Sequence, residues 1–236
     1  MSEPLRIAVA VEGPTDAIVL RAILDALLPD TDFEFQTLQP EGSRVFDTGT
    51  SGETGVGWVG VYRWSRQSVS EGGGSVSGSS VLSCHNVVIV QVDADVAGTK
   101  YSSGNIRDAP RKDLPCEKPC PPPGSTTDAL RTVVLNWLGE LKCPPKVVLC
   151  TPSKNMEAWV VAALWPDNSL VQRNDWECRP DPESQFSTVP KRQRIRKRPE
   201  DYRRRQKEIG KAWPRVAARL SEAVRFEKEF LAAIPT

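Results

Sequence analysis

The stretch Asn86-Val-Val-Ile-Val-Gln-Val-Asp93-Ala-Asp95 is a run of apolar, mostly β-branched residues that ends abruptly in two carboxylates one residue apart. Val87 to Val90 are continuously apolar, the pattern of a strand covered on both faces in a parallel α/β sheet. Ligand sites in such sheets lie beyond the carboxyl ends of the strands, so Asp93 and Asp95 are expected on that rim. Residues two apart on an extended chain project the same way, and like charges held so close are unfavourable without a neutralising cation. A divalent metal is the simplest remedy, and an oxygen-only donor set favours Mg²⁺ or Mn²⁺ over zinc.

Working outward, Leu5-Arg-Ile-Ala-Val-Ala-Val11 reads as a second buried strand, and it too runs into a carboxylate, at Glu12-Gly13-Pro14-Thr15-Asp16. Gly13 and Pro14 punctuate a strand, turn and helix, with Thr15 as the N-cap of a helix to about Leu28 and Asp16 in its first turn. Taken alone, Glu12 reads as a surface loop acid. Lys146-Val-Val-Leu-Cys150 is another short buried strand. Its exit, Thr151-Pro-Ser-Lys-Asn-Met-Glu157-Ala-Trp159, reads as a helix capped at Ser153 with Glu157 just past the first turn. Phe33 to Leu38 alternates like a strand nearer an edge, and Leu130, Val134, Leu138 and Leu141 mark one helical face over Thr127–Leu141.

The remainder is less regular. Gln39 to about Ser83 is rich in glycine and serine and reads as a flexible insertion. Within it, Trp58 to Arg66 combines aromatics with arginines, which either stack on bases or sugars or pack a helix or short strand onto the core. Residues 97–125 form a long proline-rich loop, expected on the rim that bears the carboxylates.

The 236 residues carry a net charge of +1, which conceals an asymmetry. Between Lys191 and Lys207 ten Lys or Arg face only Glu200 and Asp201, a local +8 that leaves −7 for the rest. Such segregation suggests an anionic partner. The six cysteines follow no apolar leader, and Cys116 with Cys120 is the only close pair, so free thiols in a reducing, cytoplasmic setting are expected rather than structural zinc. No run approaches the roughly 18 apolar residues of a membrane span. The lone His85 pairs with no nucleophile.

Glu12-Gly13 after a first strand, followed by Asp93-x-Asp95 after a later one, resembles the Toprim domain of topoisomerases, primases, recombination proteins and the nucleases of the overcoming-lysogenization-defect family. The Thr15-Asp16 continuation and Glu157-Ala-Trp159 are similar to small stand-alone Toprim-like proteins, some of them near bacterial defence systems. The resemblance covers roughly residues 5 to 165. It implies an α/β, Rossmann-like, mostly parallel sheet with helices on both faces over residues 1–165; beyond it, the charge pattern and helical periodicity predict a basic, mainly helical extension over 166–236. It also implies Glu12 as general acid, general base or metal ligand, Asp93 and Asp95 as Mg²⁺ or Mn²⁺ ligands, and Glu157 as a further metal carboxylate.

No catalytic tyrosine in a separate domain accompanies this pattern, as a topoisomerase requires, and no phosphate loop ending in Gly-Lys-Ser or Gly-Lys-Thr is present. The expected function is therefore a metal-dependent nuclease in defence or nucleic-acid processing, with nucleic acid, DNA ahead of RNA, as its partner and room for a partner protein such as an ATPase encoded nearby. Lys191, Arg192, Arg194, Arg196, Lys197, Arg198, Arg203, Arg204, Arg205 and Lys207 would contact the nucleic acid. Two alternatives stand beside it: a non-catalytic nucleic-acid-binding or defence-complex subunit, and a haloacid dehalogenase-like phosphatase with Asp93 as nucleophile and Asp95 as acid.

Overall fold

The computed structural model describes residues 3–40 and 55–235. Four strands, β1 (Leu5–Ala10), β2 (Phe33–Gln39), β3 (Val87–Gln91) and β4 (Val147–Cys150), form one all-parallel sheet in the order β2-β1-β3-β4. Ile7 pairs in register with Phe35 on one side and Val87 on the other, and Val88 pairs with Val147. Every residue of β3 and β4 is buried, whereas β2 alternates at the edge. The apolar run around Val87–Val90 thus becomes a central strand, as its composition requires.

Side chains of alternating parity feed two cores. Ile7, Val9, Ile89 and Val148 face α1 (Pro14–Leu27), while Ala8, Ala10, Val88, Val90 and Leu149 face the opposite layer. That second layer holds α2 (Gly57–Glu71), the short α3 (Ser80–Cys84) and α4 (Gly124–Trp137). The chain leaves β1 towards β2 through a helix on one face, and leaves β3 towards β4 through a helix on the other. The crevice where the order reverses therefore lies between the carboxyl ends of β1 and β3, the position at which open α/β sheets place their ligands.

The expected flexible insertion over 39–83 is corrected in its described part. Residues 41–54 lie outside the described residues, but α2 buries Val61, Tyr62, Trp64, Ser65, Ser68 and Val69 on one helical face. Serines between those apolar positions masked the period. Of the glycines that follow, Gly72 serves close approach, since a Cβ there would lie 2.1 Å from the Ser75 carbonyl oxygen, while Gly73 and Gly74 take positive φ angles of +69° and +113°. Gly139, at φ +69°, ends α4. The Gly139 N–H donates to the Asn136 carbonyl and the Glu140 N–H to the Leu135 carbonyl, a glycine-terminated helix end. Leu141, expected on the apolar face, consequently lies beyond the helix and is 91% exposed.

The C-terminal part is not an appendage. After α5 (Glu157–Leu164), a series of short turns leads to α6 (Pro199–Arg219) and α7 (Ser221–Ala233). Trp159 of α5 packs against Trp213 and Phe226 with ring centroids 5.4 and 6.0 Å apart, in the same core as Ile7 and Ile89. The spacing of Val216, Leu220, Val224, Glu227 and Leu231 on one stripe predicts a continuous helix from Ala212 or Pro214 to Ala233. Leu220 is instead extended between two helices, and Glu177 accepts the N–H groups of Ser221 and Glu222 at 2.7 and 3.1 Å, capping α7. The break resets the phase, so Phe226 and Phe230 are buried and Leu231 is exposed.

The cysteine expectation is also corrected. Cys120 and Cys178 form a disulfide with Cα atoms 5.5 Å apart, fastening the proline-rich loop to the C-terminal part, while Cys84, Cys116, Cys143 and Cys150 are free. The partners are 58 residues apart in sequence, so close-pair spacing could not reveal them. Among the described residues, no helix is long and apolar enough to cross a membrane.

A chain ending at Trp165 is expected to lose cooperative unfolding, because it would expose the faces of α1 and α5 that Trp213, Phe226 and Phe230 cover. Circular dichroism with urea titration measures this. A sharp transition in the truncated chain would restore an independent domain at residues 1–165.

Candidate active site

Glu12 and Asp93 stand at the crevice between β1 and β3, on the same edge of the sheet, and they are clamped to each other. The Asp93 N–H donates to Glu12 Oε1 at 2.9 Å, the Glu12 N–H donates to Gln91 Oε1 at 3.1 Å, and Gln91 Nε2 donates to Asp93 Oδ1 at 2.7 Å. Gln91 is fully buried, so one amide side chain sets the distance between two strand exits. Glu12 also meets the start of α2, where its carbonyl accepts the Gly57 N–H at 2.8 Å and its carboxylate faces the Trp58 N–H. A helix N-terminus favours an anion there.

The spacing argument for Asp93 and Asp95 is corrected in its geometry. The strand ends at Gln91, and Asp93 precedes a 3₁₀ turn over Ala94–Gly98, so strand alternation does not govern the pair. Asp93 is half-buried and Asp95 exposed. The exit of β4 runs beside them: the Ala94 N–H donates to the Pro152 carbonyl, the Asp95 N–H to the Lys154 carbonyl, and the Met156 N–H to Asp93 Oδ1 at 3.1 Å. In this exit the side-chain oxygens of Thr151, Ser153 and Asn155 are sealed and have no partner among the described residues. Ser153 therefore caps nothing. The helix begins at Glu157 itself, after Met156.

Glu157 is buried, accepts the Tyr202 hydroxyl at 3.0 Å and pairs with Lys197 at 3.4 Å. Lys197 reaches Glu183 at the same distance, and Asn155 Nδ2 donates to Glu183 at 2.8 Å. Lys197, also expected at the nucleic acid, is about half exposed and stands as a counter-ion at the margin of the acidic site. Asp16 is the second residue recast by the structure. It is 7% exposed, its carboxylate turns back to the Gly13 N–H, and it feels the charges of Glu157 and Asp95. The sequence showed an acid in a first helical turn but not that this turn faces the crevice, and nothing local pointed to Glu183.

Repulsion among these acids is visible in their proton affinities. Burial pushes Glu12 up to about 8, helped by Asp16 and Asp95 and opposed by the N–H groups of Asp93 and Trp58. Burial and then Glu157 push Asp16 up to about 8, with the Gly13 N–H opposing. Asp93 is raised well above the usual carboxylate range by burial, Glu12 and Asp16. Asp95, although exposed as a residue, rises to about 6 because its carboxylate loses part of its water among the neighbouring groups, against the pull of Lys197. The donor set is all oxygen, the chemistry a hard divalent cation prefers. As the side chains stand, no three His, Cys, Asp or Glu residues among those described are arranged to hold a metal ion.

The other predicted residues divide. Lys191, Arg192, Arg194, Arg196, Arg198, Arg203, Arg204 and Lys207 are exposed. Arg204 pairs with Asp201, and Arg205 with Glu208 at 2.7 Å. The aromatic segment takes the packing role: Trp58 stacks on Trp137 at 6.1 Å, and Tyr62 meets Trp137 edge-on at 5.5 Å. Scans against protein-family models, curated proteins and solved structures return no match.

The raised groups hold protons in the folded protein where the unfolded chain has lost them. Their contribution is complete below the ordinary carboxylate range and is lost as pH rises through about 6 to about 8. In chelator, the thermal midpoint is expected to fall across that window, and Glu12→Gln should flatten the fall. A midpoint that rises over the same window would contradict the electrostatics described.

Proposed function

We propose that the protein is a metal-dependent nuclease that hydrolyses phosphodiester bonds at the crevice between β1 and β3. The observation that carries this reading is the gathering of Glu12, Asp16, Asp93, Asp95 and Glu157 around one sheet edge, where burial and mutual repulsion raise the proton affinity of four of them. Structural networks normally pair such charges, and here the described cations nearby are Lys197 and Lys154. Glu12, Asp93 and Asp95, with Glu157, would hold Mg²⁺ or Mn²⁺. Such an ion supplies neutralisation of phosphate charge and a more acidic bound water.

The chain's own groups have defined tasks in this reading. Glu12, held at the crevice by the Asp93 N–H, would serve either as a ligand of that ion or, with the ion on the aspartates, as the group that takes or gives the proton in general acid–base catalysis. Gln91 and the Met156 N–H fix Asp93 through its Oδ1 atom. Asp95, exposed on the rim, is open to substrate. Tyr202 and Lys197 orient Glu157.

Nucleic acid, DNA first, is the proposed partner, with an ATPase as a candidate accessory and defence or processing as the setting. A cytoplasmic location is kept in the proposal, although the Cys120–Cys178 bond removes the free-thiol argument for it. The phosphatase alternative is weakened by Asp93 Oδ1, which is occupied by two donors, and it gives Glu12 no task. The non-catalytic alternative is separated by experiment. Asp93→Asn and Asp95→Asn should each lower Mg²⁺- or Mn²⁺-dependent cleavage by about 10²-fold or more while binding in chelator persists. A cleavage time course beside an equilibrium binding assay decides, and a wild type that binds but never cuts would favour the binding subunit.

A further inference from the structure

The proline-rich segment that follows Asp95 is a fixed platform in the structure. Its two ends meet at Ala97, whose carbonyl accepts the N–H groups of Cys116 and Glu117 at 2.7 and 3.0 Å. Between them Tyr101 and Leu114 are buried, and a polar network ties the excursion to α4. The Trp137 indole donates to the Tyr101 hydroxyl at 2.8 Å, and that hydroxyl donates to Asp113 at 2.7 Å. The other Asp113 oxygen accepts Asn136 Nδ2 at 2.9 Å. With these groups turned inward, the loop leaves Lys100, Arg107, Arg111 and Lys112 exposed. Among the described residues, none of these four side chains has a hydrogen-bond or ion-pair partner. Asp108 is the exposed acid among them, while Glu117 is engaged by Lys154 at 3.0 Å.

The loop borders the acidic site on both sides. Lys154, which holds Glu117, also faces the charge of Asp95. Further along, Gly104 sits on the first turn of α2, where a Cβ would lie 2.5 Å from Val59 Cγ2 and 2.9 Å from the Trp58 ring. That turn gives its Gly57 and Trp58 N–H groups to Glu12. The platform therefore spans the rim from Asp95 to the helix start that meets Glu12. The acids of the rim repel phosphate, and a substrate held there needs attraction from a neighbouring surface. We propose that this loop is the docking surface for the phosphate backbone of duplex DNA, with Lys100, Arg107, Arg111 and Lys112 as its contacts. Charge complementarity selects a polyanion, and the aromatic rings select the duplex. Tyr101, the loop's only aromatic residue, is buried, and Trp58 and Tyr62 each pack on it and on Trp137. Single strands are held by stacking bases on open rings, whereas a duplex turns its bases inward and its phosphates out. This inference rests on the nuclease reading for its partner, and it places phosphate contacts at the rim itself, apart from the 191–207 run.

The test titrates the full chain, in chelator, against a short labelled DNA duplex and its separate strands over a series of salt concentrations. Lys100→Gln/Arg107→Gln/Arg111→Gln/Lys112→Gln should bind the duplex at least about tenfold more weakly at low salt. Its log–log salt slope should be smaller in magnitude by about 3 to 4, from four lost phosphate contacts at about 0.9 each. Lys100→Gln/Arg107→Gln and Arg111→Gln/Lys112→Gln should each give about half of that change, and they cover the case in which the fourfold variant folds poorly. Arg6→Gln/Lys142→Gln, exposed at the opposite, amino-end edge of the sheet, should leave affinity and slope in place. Wild-type affinity and slope in the loop variants would overturn the proposal. So would a wild type that binds no duplex, binds the single strands more tightly, or prefers an acidic polypeptide. Cleavage in Mg²⁺ or Mn²⁺ is read separately. A wild type whose duplex binding depends on the loop but that never cuts would sink the nuclease reading and leave the docking surface standing. One that cuts while the fourfold variant binds as before would do the reverse.

Discussion

The closed loop of hydrogen bonds joining Glu12, Gln91 and Asp93 is the constraint on which the site depends. It holds two carboxylates at adjacent strand exits, an arrangement that burial and charge repulsion both oppose. The neutral amide of Gln91 makes it tolerable because it both accepts from the Glu12 backbone and donates to the Asp93 side chain, adding no charge of its own. Around this clamp the molecule supplies further partial positive charge from backbone N–H groups at the starts of α1, α2 and α5. A parallel sheet brings such helix starts to one edge by its topology. The same topology that makes β3 apolar on both faces also makes its exit hospitable to anions.

Much of this frame was legible in the sequence because it follows from local pattern. The apolar runs at Leu5–Val11, Val87–Val90 and Val147–Cys150 are strands, the alternation at Phe33–Leu38 is an edge, and the acids that follow the central runs lie where a strand exit must put them. What was hidden depends on contacts between distant segments. Asp16 becomes a site residue only because α1 packs with its first turn facing the crevice. Glu183 and Lys197 arrive from the C-terminal part, 26 and 40 residues beyond Glu157 by their numbering. Helix α2 was obscured by serines and glycines, whose low intrinsic helix propensity was overridden by the tertiary burial of Trp64 and Val69.

The basic region shows why charge counts mislead without a fold. Ten cations within seventeen positions suggested a uniform polyanion-binding tail, but a helix distributes successive residues around its axis. Tyr202 and Ile209 are therefore buried, Arg205 is partly enclosed, and Arg203 and Lys207 are exposed. The extended segment before the helix is pinned by Ile195, which is 5% exposed, and this anchoring brings Lys197 to Glu157. Charge that looked like one device thus divides between a counter-ion for Glu157, ion pairs on the surface and cations turned to solvent.

The burial of Trp159 beneath Trp213, Phe226 and Phe230 has a consequence for the order in which the molecule comes into being. During synthesis the segments carrying Glu12, Asp93 and Glu157 emerge well before the helices that cover α5. Tyr202 and Lys197, which hold Glu157, are made later still, and the core around them closes only once Phe230 has left the ribosome. A chain not yet extended to Phe230 therefore carries the acids without the packing that assembles them, so the acidic site takes shape only after the segment that covers α5 has been made.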